Sequence, residues 1–195
     1  LGLISIYYRW RYPAARITAF EADPTILPLL RKNLETNSCG DVEIVEAALA
    51  ASSGSVSFQS GRACDGCVTQ YRPEDQMKYG TTMTVPAVPL SDFLDEPVDL
   101  LKMNIEGAEW EVLSAAEKKL RQVRAMLIEY HRWPGLPNTL HAILSLLDRN
   151  GFDYLINDYD GATNPGVLPP FQLHENSRYF LLIYAVRRKM EHPES

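Results

Sequence analysis

Cysteine is scarce in this chain: three in 195 residues, an odd number and too few for a disulfide framework. Positive charge is also in deficit, with 19 Lys and Arg against 25 Asp and Glu, a net charge of -6 and a pI near 5.2. The single cationic run, Arg187-Arg188-Lys189, reads as a solvated strand end. A nucleic-acid partner is therefore not expected, because a phosphate-binding face needs clustered Lys and Arg. Long apolar runs are missing as well. None approaches the roughly 20 residues that cross a bilayer, and residues 1–8 lack the charged-then-apolar layout of a signal peptide. The expectation is a cytoplasmic protein with no membrane partner. Internal repeats and low-complexity tracts are absent. What remains is an ordinary globular balance, 46% apolar and 23% charged, suited to a single domain over residues 1–195. The sequence has no initiator Met and starts in an apolar stretch, so an upstream segment is expected.

Apolar runs of strand length alternate with segments of helical period, which predicts an α/β domain with a doubly wound, mostly parallel sheet. Helices are predicted over residues 3–11, from a cap at Asp23 with Pro24 following to about Asn37, over 108–120, and over 138–150 with Asn138 as cap and Gly151 as stop. Strands are predicted over 16–21, 42–48, 98–105, 123–130, 154–157 and 179–187, with a short edge strand at 56–58. The last two have no helix between them and are expected to pair antiparallel. A short helix capped by Ser91 is expected at 90–94. Residues 61–84, where Gly, Pro, Cys, Tyr and charges mix, read as a surface loop or lid that selects substrate.

Ligands of doubly wound sheets sit beyond the carboxyl ends of the strands. Glu21 ends a strand there, in Phe20-Glu21-Ala22-Asp23-Pro24, and a carboxylate at that point suits the two hydroxyls of a ribose. Gly2 precedes it by about 20 residues, the separation of a glycine turn from a ribose-binding acid. Asp23 reads as a helix cap. On its own, Glu21 is equally a polar strand end.

The stretch Val98-Asp99-Leu100-Leu101-Lys102-Met103-Asn104-Ile105-Glu106-Gly107-Ala108-Glu109 carries more information. Apolar Leu100, Leu101, Met103 and Ile105 argue for the buried centre of a sheet, and buried charge is costly unless paired. Lys102, Asn104, Glu106 and Glu109 at its exit therefore mark a polar cleft. This segment closely resembles the FkbM family of methyltransferases, whose signature here runs Lys-x-Asp-x-Glu-Gly-x-Glu. Ala19-Phe20-Glu21-Ala22-Asp23-Pro24 with Asn33-Leu34, and Glu129-Tyr130-His131, resemble the family's neighbouring motifs in order and spacing. The resemblance spans residues 1–188. It implies a class I, Rossmann-like methyltransferase fold with an antiparallel C-terminal strand, S-adenosylmethionine as cofactor, and O-methylation of a small-molecule hydroxyl such as that of a polyketide or sugar.

By that resemblance Glu21 binds the cofactor ribose with Ala22 beside it, Glu46, Ala47 and Ala48 line the adenine, and Asn104 sits beside the transferable methyl. Two departures stand out. Asn104 replaces the family's usual Asp, and the family's first strand and Asp-x-Gly-Ala-Asn-x-Gly loop are missing from this chain, Leu1-Gly2 matching only the loop's end.

A hydroxyl nucleophile is helped by losing its proton as it attacks. His131 is the expected general base, with Glu106 and Glu129 as rivals, and Lys102 is expected to hold a substrate oxygen or pair with Glu106. A structural role for His131 at a strand end is an equal alternative. Tyr130, Trp133, Tyr159 and Phe171 are candidates for an aromatic wall against substrate. Cys64 and Cys67 have the spacing of half a zinc site, but a structural zinc takes four ligands and no second pair exists, so no metal is expected. Two other functions fit parts of this pattern: an NAD-dependent oxidoreductase shares the ribose acid, and a non-catalytic methyltransferase-fold binding domain accommodates Asn104 and the missing loop.

Overall fold

Strand-length apolar runs and helical segments alternate as the sequence suggests through the described residues, 1–60, 66–71, 80–158 and 177–189, of the computed structural model. The first helix, α1 (Leu3–Arg11), has the predicted bounds but buries no residue. Only Ile6 of its apolar face packs, against the core around the next helix, while Trp10 is 78% exposed. Strand β1 (Thr18–Phe20) and strand β2 (Glu43–Val45) form a parallel pair, Thr18 opposite Glu43 and Phe20 opposite Val45.

The helix between them, α2 (Leu27–Thr36), begins later than predicted. Asp23 is buried and its Oδ1 accepts from Thr25 N at 2.8 Å and Thr25 Oγ1 at 2.6 Å. Its carbonyl accepts from Ile26 N and Leu27 N. This local turn uses up residues 23–26, and Pro28 then enters the first helical turn, where a missing N–H costs nothing. Leu27, Leu30 and Leu34 pack with Cys39 and Val42.

The predicted strand 42–48 is two strands in different sheets. After β2 the chain passes through Glu46 and Ala47 into β3 (Ala48–Ala50). There β3 joins β4 (Gly54–Gln59), β5 (Cys67–Val68) and β6 (Thr82–Pro89) in the order β3-β6-β4-β5. The last of these begins inside the segment expected to be loop. Its inward Val85 and Ala87 alternate with exposed Thr84 and Pro86, and Pro86, which cannot donate a ladder bond, hides that period in the sequence.

The third sheet has the order β7-β8-β10-β9, from β7 (Val98–Met103), β8 (Val123–Arg132), β9 (Phe152–Asp158) and β10 (Tyr179–Arg187). β7 and β8 are parallel, and β10 runs antiparallel to both β8 and β9, as the family fold implies for the C-terminal strand. β7 was expected at the centre of a sheet. Among the described residues it pairs with β8 alone, and Leu100 is 37% exposed.

Helices α3 (Glu109–Ala115) and α4 (Leu140–Arg149) pack on each other beside this sheet. The predicted 108–120 helix tightens after Ala115 into a 3-10 turn, Glu117–Gln122. Residues 90–93 are a 3-10 turn entered from Pro89 rather than capped by the Ser91 side chain. Val112, Leu113, Leu120, Met126, Ile128, Ile143, Leu146, Leu147, Phe152 and Ile183 share one core, each essentially sealed from water and each worth about 1.5–3 kcal/mol of apolar burial. Arg187 closes its base: the guanidinium donates to Val123 O and Asn150 O at 3.0 Å and to Leu120 O, and lies 4.4 Å from the Phe152 ring.

Candidate functional site

Parallel pairing of β7 with β8, Lys102 opposite Leu127 and Met103 opposite Ile128, brings the carboxyl ends of the two strands side by side. Strand side chains repeat with period two, so Lys102, Asn104 and Glu106 follow one another out of β7 as Glu129 and His131 do along β8. The five residues expected to do chemistry meet here. Lys102 Nζ lies 2.9 Å from Glu129 Oε1, and Asn104 Nδ2 donates to Glu129 Oε2 at 2.6 Å, so one carboxylate holds both. Lys102 thus pairs with Glu129, not with Glu106.

The chain turns from β7 into α3 through two residues of positive φ, Glu106 at 57° and Gly107 at 111°. For a glutamate this backbone is unfavourable and persists only where its surroundings impose it. Glycine follows for a steric reason: a Cβ on residue 107 would lie 3.0 Å from the Tyr71 carbonyl oxygen and 3.3 Å from Trp133 Cδ1. The turn aims Glu106 back at β8, with its Oε1 3.6 Å from His131 Nε2.

Glu109, at the start of α3, is 1% exposed and had no role assigned in the sequence beyond marking a polar exit. Its Oε1 lies 2.9 Å from His131 Nδ1 and also accepts from Gly107 N at 3.0 Å. The signal that could have found it was its place as the last Glu of the Lys-x-Asp-x-Glu-Gly-x-Glu pattern, two residues past the glycine. His131 is 8% exposed, stacked beside Trp133 at 6.3 Å and tilted against Phe180 at 4.8 Å, and the Arg178 guanidinium covers the Trp133 and Phe180 rings. Burial is the largest influence on its titration and disfavours the imidazolium. The hydrogen bond to Glu109 and the charges of Glu109, Glu106 and Glu129 together outweigh it, so the pKa lies above its ordinary 6.5.

Of the expected aromatic wall, Trp133 does sit beside His131. Tyr130 does not: it is 1% exposed in the core, its hydroxyl bonded to Asn138 Oδ1 at 3.3 Å and accepting from Thr139 N at 3.1 Å. Strand alternation sends residue 130 to the face opposite 129 and 131. Phe180 takes a place in the wall that the sequence did not mark. Tyr159, Phe171 and Cys64 lie outside the described residues.

Glu21 leaves β1 with its N–H bonded to Val45 O, and its Oε1 accepts from Asp23 N at 2.9 Å. Ala22 packs beside Ala48, and Ala47 and Ala48 are buried. Glu46 is exposed and pairs with Arg31 on α2. Gly2, at φ 80°, caps α1 where a Cβ would meet the Leu30 side chain at 2.8 Å. Cys39 and Cys67 are buried. Among the described residues no group of three or more His, Cys, Asp and Glu side chains is arranged to hold a metal ion, and no helix is long and apolar enough to cross a membrane. A cavity of about 150 Å³ between the β3–β4 turn and α3, lined by Ser55, Gln70, Tyr71 and Glu111 among others, includes none of the five clustered residues.

A family profile described as the methyltransferase FkbM domain matches residues 6–154. Methyltransferase sdnD of Sordaria araneosa is 28% identical over 185 residues, covering 78% of this chain and 70% of that protein. Methyltransferase 1 of Beauveria bassiana (strain ARSEF 2860) is 28% identical over 133 residues, 58% of this chain and 53% of that protein, so the chain spans about half of this second relative. Two solved structures are similar. Precorrin-6y C5,15-methyltransferase from Geobacter metallireducens GS-15 has a TM-score of 0.49 at 18% identity over 95% of this chain and 73% of its own. Methyltransferase FkbM from Methylobacillus flagellatus KT has a TM-score of 0.47 at 17% identity over 87% and 36%.

Proposed function

The chain belongs to the methyltransferase FkbM family, and we propose that it transfers a methyl group from S-adenosylmethionine to a hydroxyl of a small molecule. The observation that carries this reading is the convergence of Lys102, Asn104, Glu106, Glu129 and His131 at the carboxyl ends of two parallel strands, within the segment that the family profile matches.

The residues fit the nucleoside half of that cofactor. Glu21 ends β1 with one carboxylate oxygen engaged by Asp23 N, which orients the other for the ribose hydroxyls. Ala47 and Ala48 follow β2 with no bulk to block a flat base. Glu46, exposed and salt-bridged to Arg31, precedes them in the chain. When bound, the sulfonium supplies an electrophilic methyl carbon and departs as a neutral thioether.

The chain's own groups handle the acceptor. Neutral His131 donates Nδ1–H to Glu109 and keeps a lone pair on Nε2, which takes the hydroxyl proton as the oxygen attacks. Glu106, 3.6 Å from Nε2, stabilises the imidazolium that results. Lys102 and Asn104, fixed on Glu129, offer N–H donors that hold the acceptor in line for displacement. Trp133 and Phe180 shield the exchange from water. The whole unit, residues 1–195, acts as one methyltransferase domain, with 61–84 contributing to acceptor choice.

Calorimetric titration with S-adenosylmethionine, S-adenosylhomocysteine and NAD, followed by transfer of labelled methyl to a panel of hydroxylated metabolites, tests this. Binding of the first two and labelling of an acceptor oxygen are expected. Binding of NAD alone, or methyl on nitrogen or carbon only, removes the assignment.

A further inference from the structure

His131 meets charge from three directions. Glu109 approaches from α3, Glu106 from the turn between β7 and α3, and Glu129 from its own strand, while Arg178 lies over the Trp133 and Phe180 rings that flank it. These groups differ in burial and in geometry. Glu129 is committed to Lys102 and Asn104. Glu106 stands 3.6 Å from Nε2 with its side chain 17% exposed. Glu109 is sealed, its side chain 1% exposed, and touches the nitrogen on the far side of the ring from Glu106.

We propose that Glu109 is the positioning residue of the site: its single oxygen Oε1 holds His131 Nδ1 and Gly107 N together, and so decides which imidazole nitrogen faces the acceptor and where Glu106 points. Both contacts use one atom, at 2.9 and 3.0 Å, so the ring's orientation and the positive-φ turn depend on the same carboxylate. With Nδ1 bound to Glu109, the proton of neutral imidazole resides on Nδ1, and Nε2 is the nitrogen left to accept. The carboxylate also makes the ring a stronger base, because the positive charge gained on accepting a proton forms against it in a water-poor setting. Glu109 touches neither acceptor nor cofactor and acts through His131 and Glu106. This inference rests on the methyl-transfer reading for its kinetic consequence, and on geometry alone for its effect on the ring.

Glu109→Gln separates the two contributions, since its amide oxygen still accepts from Gly107 N while the charge is lost. Nitrogen-15 spectra of the imidazoles in the full chain across pH, with His131 assigned by its loss in His131→Gln, read the ring directly. The expected result is a fall of about one unit or more in the His131 pKa in Glu109→Gln, and a greater share of the tautomer protonated at Nε2. Glu109→Asp, which restores charge at shorter reach, is expected to recover part of that shift. In the kcat/KM profile the acid limb is expected to move to lower pH by the same amount, with a plateau about tenfold lower or less, and calorimetric affinity for S-adenosylmethionine unchanged. An unaltered His131 titration and pH profile in Glu109→Gln overturns the proposal. Should that variant not fold, the wild-type ring decides: a pKa at or below 6.5, or a proton residing on Nε2, overturns it equally. If the wild-type chain neither binds S-adenosylmethionine nor transfers methyl, the proposed function fails by itself, and the imidazole spectra still decide whether Glu109 governs His131.

Discussion

Asn104 and Glu129 form a complementary pair at the mouth of the site: the amide Nδ2 donates to one carboxylate oxygen at 2.6 Å while Lys102 holds the other at 2.9 Å. Lys102 is the ionic partner of Glu129, and residue 104 contributes a donor without adding charge. In the family signature the corresponding position is Asp, so in this chain the amide removes a repulsion that two carboxylates at this distance would create.

Asn104→Asp reinstates that repulsion. One carboxyl of the resulting pair must then titrate above its unfolded value, so the destabilisation is present at neutral pH and relieved as pH falls below the carboxylate range. A loss of about 1 kcal/mol at pH 7 relative to the parent is expected, from a shift of about one unit. Urea unfolding of both proteins at pH 7 and pH 4.5 measures it, and an equal difference at the two pH values contradicts the prediction.

His131 links stability to pH with the same sign, since its folded pKa is likewise raised. Its folded pKa is raised above the unfolded 6.5 by Glu109, Glu106 and Glu129 against the opposing effect of burial. Its stabilisation is therefore complete below that unfolded value and is lost as pH climbs through the folded one. The gap between the denaturant midpoints of wild type and His131→Gln should be wider at pH 6 than at pH 9, and an equal gap at both contradicts the prediction.

Gly107 has no room for a side chain and a backbone unsuited to one. Gly107→Ala meets the Tyr71 carbonyl and Trp133 and forces a positive φ on an L-residue. A cost of at least about 1–2 kcal/mol is expected, visible as a lower melting temperature. A melting temperature equal to wild type would show that the turn relaxes freely.

Glu21→Gln keeps the shape of the strand end but weakens its acceptors. Under the proposed function, affinity for S-adenosylmethionine falls by roughly 10- to 100-fold, equivalent to about 1.5–3 kcal/mol for hydrogen bonds to a charged group. Calorimetry reads this without any acceptor present.

Arg187 serves the fold rather than the site. Its guanidinium bonds the carbonyls of Leu120, Val123 and Asn150. Arg187→Leu retains apolar contact with Phe152 but strands those oxygens, and about 2 kcal/mol of stability is expected to be lost. Chemical denaturation of the variant beside wild type should show it.

The polar exit of β7 was legible because its chemistry is local. Lys102, Asn104 and Glu106 recur at period two at the exit of an apolar run, which marks a polar strand end, although the positive-φ turn at Glu106 sets where its side chain points. The pair Glu129 and His131 was legible for the same reason. β6 was not, since Pro86 and the neighbouring polar residues mask a strand whose partners β3 and β4 make it one. The central place given to β7 also failed. Its apolar residues matched a buried strand, but the neighbours a strand acquires are not written in its own pattern.

Alternating strand and helix periods, the Asp23 turn and the glycine after Glu106 all follow from short stretches of chain, where sterics and hydrogen bonding act between near neighbours. The insertion of β10 between β8 and β9, the commitment of Lys102 to Glu129 across 25 and more residues, and the capture of His131 by Glu109 depend on register and on how α3 packs. Those are decided by the simultaneous burial of distant apolar surfaces. Once that burial is complete, the charged groups left at the strand ends must find one another, because little water reaches Glu109 or His131 to satisfy them.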